Sequence, residues 1–226
     1  MREIVLDTET TGLDPLAGHR VVEVGCIELV NMVATGRTFH AYFNPEMLMP
    51  TGAQDVHGLT DEFLADKPRF GEQVEGLLEF IGDAQLVIHN AQFDIGFLNA
   101  ELERVGKPRL VNAYVDTVSV ARRKFPGQRA SLDALCERFG IDNSSRTKHG
   151  ALLDSELLAE VYLELSGGRQ RDLGLAPEMA ARVIAGLSLA AGGNIRPARP
   201  HAPSAAELAA HVAFLAKLSD PLWLRA

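Results

Sequence analysis

The chain changes its pattern part-way along, and that change constrains its fold more than any other feature. Glu3 to Leu6, Val21 to Val30 and Thr38 to Phe43 are apolar, β-rich runs separated by glycine-containing turns, which predicts three strands in an antiparallel meander. Strand and helix then alternate. The spacing predicts a helix around Gln73 to Ile81, a short buried strand over Leu86 to His89, and a helix from Ala91 to Val105 with Gly106 and Pro108 as stop signals. Asp116 to Lys124, Ser131 to Phe139 and Ala151 to Leu165 follow as further helices, with Ser131 as an N-cap and Gly140 and Gly167 as stops. A meander followed by alternation calls for an α/β fold, a mixed sheet with helices packed on it.

With 226 residues, 46% of them hydrophobic, the chain can bury one substantial core and carry a short appendage. Its two cysteines, Cys26 and Cys136, offer at most one bridge and no metal-ligand spacing, so both are expected to be reduced core residues of a cytoplasmic protein. MREIVLDTET meets an acidic pair before any long apolar region forms, and no stretch approaches the roughly 18 apolar residues of a membrane span. The expectation is a soluble protein that is not exported.

The net charge of −8 is unevenly placed. From Gly167 onward there are seven Lys/Arg and four acids, so the tail is basic and the acid excess is confined to the first 166 residues. Such a body repels a phosphate backbone at long range. If the substrate is a nucleic acid, the attraction must come from bound metal, local donors or a basic partner. The tail is rich in Ala, Gly and Pro, as in RPARPHAPS, a composition that gives linkers. Ser204 to Leu218 interrupts it with an N-cap residue, a glutamate three positions on and apolar residues at helical spacing, which predicts a short amphipathic helix.

Four acids and a histidine carry the chemistry. Residues two apart in a strand share a face, so Asp7 and Glu9, at the end of the run Ile4 to Leu6, present their carboxylates side by side. Asp94 opens the helix that follows the strand Leu86 to His89, and polar groups beyond the carboxyl end of a sheet strand are where α/β proteins tend to place ligands. His149 precedes a helix whose second turn carries Asp154, and its ordinary pKa near 6.5 suits it to take a proton from water. Each piece alone has a plain alternative: a solvated strand end, an acid on a helix dipole, a surface histidine. Together, hard oxygen ligands select Mg²⁺ or Mn²⁺, and two such ions about 3.5 to 4 Å apart can hold both the attacking and the leaving oxygen of a phosphodiester displacement.

DTETTGLDP, HNAQFD and HGALLDSELL, in that order, resemble the three exonuclease motifs of the DnaQ-like superfamily, in its histidine-containing DEDDh branch. VHGLT, RRKFPGQRASLDALC and the terminal LWLRA look like the proofreading subunits of bacterial replicative polymerases. The resemblance implies a ribonuclease H-like mixed sheet over residues 1–168. It makes Asp7, Glu9, Asp94 and Asp154 the ligands of two divalent ions, Mg²⁺ or Mn²⁺, and His149 the general base. It also implies that Thr10, Gly12, Leu13, His57 and Phe93 line a pocket for the 3′-terminal nucleotide of DNA. In the tail, Gln170 to Leu175 resembles the short glutamine-to-leucine peptide that docks on the sliding clamp, within a flexible linker over 169–203. Residues 204–226, with the helix and the apolar end around Trp223, would then bind the polymerase catalytic subunit, since a lone tryptophan near a mobile terminus is costly to expose. Two alternatives remain open at this point: a DEDDh ribonuclease trimming RNA 3′ ends, and a catalytically silent structural subunit of a polymerase assembly.

Overall fold

The computed structural model describes residues 1–146, 148–168 and 202–217. The clamp-like peptide Gln170 to Leu175, the terminal segment around Trp223 and nearly all of the expected linker lie outside the described residues. The chain divides into two units, residues 1–173 and 174–226.

The first unit is built on a five-stranded sheet: β1 (Arg2–Thr10), β2 (Val21–Val30), β3 (Val33–Tyr42), β4 (Gln85–Ile88) and β5 (Tyr114–Asp116), in the order β3-β2-β1-β4-β5. β1, β2 and β3 pair antiparallel, while β4 joins β1 and β5 joins β4 in parallel. The meander and the alternating segment therefore meet at β1, the central strand. β2 is buried along its length up to Leu29, which explains its almost unbroken apolar run, whereas β3 is an exposed edge.

Between the strands run α1 (Thr51–His57), α2 (Asp61–Leu64), α3 (Phe70–Ile81), α4 (Ala91–Arg104), α5 (Thr117–Lys124), α6 (Leu132–Phe139) and α7 (Ala151–Leu165). Alternation along β1 sends Ile4 and Leu6 to one face, where they pack with Phe70, Val74 and Leu77 of α3 and Phe97 and Leu98 of α4. Val5 points the other way, into a second cluster with Leu135 of α6 and Leu158 and Val161 of α7. Helices thus cover both faces, as the strand–helix alternation required. Ser131 caps α6 by accepting from Ala134 N, and Gly140 ends that helix in the left-handed region (φ 68°). Cys26 and Cys136 are buried, free thiols.

Three elements depart from the sequence expectations. β1 runs on to Thr10, past the expected apolar run Glu3 to Leu6, so Asp7 and Glu9 lie inside the strand with their carboxylates on one face as expected. α1 and α2 were not foreseen, because TGAQDVH and DEFL are too short and too polar to show a helical period. Tyr114–Asp116 is a strand whose last residue caps α5, so the expected helix begins one residue later.

In the second unit the described element is α8 (Ala205–Leu215). Ser204 Oγ accepts from Glu207 N at 3.3 Å and Glu207 Oε2 accepts from Ser204 N at 2.8 Å, the reciprocal cap its sequence predicts. Among the described residues, no helix is long and apolar enough to cross a membrane.

Candidate active site

Asp7 and Glu9 share the Val5 face of β1, the face that α7 covers. The helix can come this close because of Gly25. Gly25 pairs with Asp7 across the β1–β2 ladder, and a Cβ there would lie 2.3 Å from the backbone of Ala151 and Leu152 at the start of α7. Ser155 Oγ fixes the contact by donating to the Gly25 carbonyl at 2.9 Å. The first turn of α7, carrying Asp154, is therefore seated directly on the strand pair that holds the other acids. The sequence placed Asp154 in the second turn, but the helix begins at Ala151 and the residue closes the first.

Asp94 arrives from the opposite face. Asn90 turns the chain in the left-handed region (φ 70°) after β4, and Asp94 is the fourth residue of α4, just as Asp154 is the fourth of α7. Thr8, on the other side of β1 from Asp7 and Glu9, donates from Oγ1 to Asp94 Oδ1 at 2.7 Å. Asp7, Glu9, Asp94, His149 and Asp154 all line one cavity of about 300 Å³. One ligand atom each from Glu9, His149 and Asp154 falls within 4.8 Å of the others, a spacing one ion can bridge.

The acids are not equivalent. Burial, then the charges of Asp94, Glu9 and Asp154, holds the Asp7 carboxyl well above the usual carboxylate range. Burial, followed by repulsion from Asp154 and Glu23, pushes Glu9 up to about 8. Burial likewise raises Asp94 to about 7, against the pull of the Thr8 hydroxyl. Asp154 is the exception. Burial raises it too, but hydrogen bonds and charge from Arg146 outweigh that and hold it below its ordinary value. Arg146 donates from Nε to Asp154 Oδ1 at 2.6 Å and from Nη2 to Oδ2 at 2.7 Å, and its Nη1 reaches Asp133 Oδ1 at 2.8 Å. Its Nη2 is also 2.8 Å from His149 Nδ1. Four converging carboxylates, three of them destabilised as anions, form a donor set suited to hard divalent cations, and an arginine cation is already seated among them.

Thr10, Gly12, Leu13, His57 and Phe93 meet around a second, mainly apolar cavity of about 670 Å³. It adjoins the first through Thr8, Glu9 and Phe93. Thr10 Oγ1 donates to the Gly12 carbonyl at 2.6 Å, which folds the turn after β1 into the wall. A Cβ at Gly12 would lie 2.4 Å from the His19 ring, so a side chain there would require that ring to move. His57 ends α1; its Nδ1 accepts from Leu59 N at 3.0 Å, and its buried Nε2 has no partner of normal geometry among the described residues. Burial lowers its pKa, partly offset by a backbone hydrogen bond with Thr10.

Residues 4–162 match the protein-family model described as exonuclease. The chain belongs to the exonuclease family. Its sequence is 56% identical to the DNA polymerase III subunit epsilon of Rickettsia felis over 174 residues, spanning 75% of this chain and 76% of that one. The corresponding subunit of Escherichia coli K12 is 51% identical over 176 residues, 74% and 72% of the two chains. The Pasteurella multocida subunit is 42% identical over 226 residues, 96% of this chain and 89% of its own, so that match extends through the C-terminal part. Among solved structures, the nuclease domain of 3′hExo, a DEDDh family member bound to rAMP, superimposes with a TM-score of 0.64 at 19% identity, over 75% of this chain and 94% of that one. Exonuclease X in complex with 5′-overhanging duplex DNA gives 0.58 at 23%, over 73% and 90%. These structural matches carry the fold. The family and the ribonuclease H-like sheet expected from the three motifs are thereby confirmed, and the activity is that of a 3′–5′ exonuclease, in a family that generally uses divalent metal ions.

Proposed function

We propose that this exonuclease removes mismatched 3′-terminal nucleotides from DNA during replication, releasing nucleoside monophosphates, as the proofreading subunit of a DNA polymerase. The observation that carries the reading is the adjacency of the two cavities: an acidic one for a phosphodiester beside an apolar one sized for a terminal nucleotide. Its relatives named DNA polymerase III subunit epsilon supply the polymerase context.

In this reading Asp7, Glu9, Asp94 and Asp154 hold two ions, Mg²⁺ or Mn²⁺. When bound, the ions lower the pKa of water and stabilise charge on the attacking and leaving oxygens. His149, half exposed at the mouth with Nδ1 facing the acids, receives the proton of the attacking water. Phe93 and the Thr10–Leu13 turn grip the terminal nucleotide, with His57 in the wall of the same pocket. A site that takes only a frayed single strand favours mismatches, which unpair more readily.

The remaining assignments extend this reading along the chain, with residues 1–168 as the nuclease, 169–203 as a flexible linker and 204–226 as the polymerase-binding segment. Leu208 and Val212, one turn apart on α8, are both more than half exposed, which supports a docking role for that helix. Tethering raises the effective concentration at the primer end to roughly millimolar, so an acidic nuclease needs little grip of its own on DNA. Gln170 to Leu175 is the proposed contact with the sliding clamp.

The test is hydrolysis of a 5′-labelled single-stranded DNA, with an RNA copy in parallel, in Mg²⁺, Mn²⁺ or EDTA. A metal-dependent ladder shortening from the 3′ end of DNA supports the reading. A strong preference for RNA would turn the assignment to RNA trimming, and cleavage of neither strand would leave a structural subunit.

A further inference from the structure

The metal-site reading does not use Arg146. It lies in the loop before α7, yet its side chain is only 8% exposed and touches three groups of the site at once. Its fork takes both oxygens of Asp154, at 2.6 and 2.7 Å, in the bidentate geometry that makes arginine–carboxylate pairs strong. The same Nη2 lies 2.8 Å from His149 Nδ1, which also faces Asp154 Oδ2 at 3.3 Å; a guanidinium can only donate, so in its contact with Arg146 that nitrogen offers its lone pair. The third arm reaches Asp133 at the rim, whose carboxylate is 59% exposed.

We propose that Arg146 is a built-in counter-ion that competes with the divalent metal for Asp154, a positioning residue that holds the last ligand and the base in place until metal displaces it. The inference rests on the reading of the four acids as the metal site. Both oxygens of Asp154 already accept from the fork, and the guanidinium charge opposes a dication beside them, so metal entry and the Arg146–Asp154 pair compete. The displaced arm has somewhere to go, because Asp133 already anchors the guanidinium from outside. Its departure also frees the Nδ1 lone pair of His149, so one displacement readies both a ligand and the base. The loop thus couples loading of the site to availability of the base.

The experiment is Mn²⁺ binding to the full chain, read by the loss of the free-ion electron paramagnetic resonance signal, with thermal unfolding in EDTA and in Mn²⁺, for wild type, Arg146→Gln, Arg146→Lys and Asp94→Ala. Removing a unit charge beside a dication site tightens Mn²⁺ binding by at least about tenfold in Arg146→Gln. Arg146→Lys, which keeps the charge and loses the fork, falls between. Arg146→Gln also melts lower than wild type in EDTA and gains more from Mn²⁺, because Asp154 is left without its partner. A merely structural arginine would lower the melting point but would not tighten metal binding. If wild type binds Mn²⁺ in an Asp94-dependent manner and Arg146→Gln binds it equally or more weakly, the competition is overturned while the metal site stands. If wild type binds none, the metal-site reading is overturned and this inference with it.

Discussion

Helix α4 carries two buried acids seven residues apart, and the fold treats them in opposite ways. Glu101 is fully shielded, and two arginines meet it: Arg20 at 2.7 and 2.9 Å and Arg104 at 3.0 Å, with Val21 N at 3.3 Å. Asp94, two turns earlier, receives the Thr8 hydroxyl, and among the described residues no arginine, lysine or histidine pairs with it, Asp7 or Glu9. A buried carboxylate is costly unless a cation meets it. Where the chain supplies the cation, the acid is architecture, here tying the start of β2 to α4. Where it withholds one from three neighbouring acids, the fold is strained toward a cation from solution.

Substitution on the two sides should therefore fail differently. Asp94→Ala is expected to lower metal-dependent hydrolysis by about 10³-fold, several kcal/mol of transition-state stabilisation, while melting in EDTA no lower than wild type because a repelling charge is gone. Glu101→Gln is expected to lose about 3 kcal/mol of stability, measured by denaturant unfolding, with activity per folded molecule unchanged. Equal loss of activity in both would break the contrast. Gly25→Ala tests the approach of α7 to the strands: a methyl facing helix backbone must push the first turn away, and a displacement near 1 Å should cost about 10²-fold in activity along with about 1–3 kcal/mol of stability.

A smaller effect lies in pH. Without metal, burial pushes Asp94 up to about 7 and Glu9 up to about 8 in the folded protein, against ordinary values of 3.8 and 4.5. Both pKa values are raised, so the stability they contribute is fully present below the unfolded values and is lost as pH rises through the folded ones. The melting temperature in EDTA should fall by several degrees between pH 5 and 8 from this source, on the order expected for shifts of this direction and size. Asp94→Asn should flatten that slope, and so should Mg²⁺. Smallest is Thr8→Val, which removes the hydroxyl that orients Asp94 and should weaken Mn²⁺ affinity by about tenfold.

The candidate acids could be found in the sequence because Asp7 and Glu9 break an apolar strand and because Asp94 and Asp154 follow motifs of familiar form. Their positioners were harder to see. Thr8 reads as an ordinary strand residue until α4 is placed across β1, and Gly25 as one more residue of an apolar run until Ala151 is found against it. Arg146 sits in NSSRTKHG, a stretch without periodicity, and its only signal was a basic residue three positions before His149 in an otherwise acidic body. β5 is three residues long, too short for a period of two to show, although the Asp116 that ends it orders the β4–α4 loop by accepting from Asn90 N at 3.1 Å. Long elements declare themselves through repetition. The contacts that aim the site span 86 residues from Thr8 to Asp94 and 130 from Gly25 to Ser155, and no local pattern carries them.

The measurement that tests the contrast most directly is the number of Mn²⁺ ions bound per full chain at neutral pH, for wild type, Asp94→Ala and Glu101→Gln. Two ions in wild type and in folded Glu101→Gln, with at most one in Asp94→Ala, is the result expected of a centre whose acids await their cation from solution. Absence of binding by wild type at millimolar Mn²⁺, or a count that Asp94→Ala leaves unchanged, would contradict it.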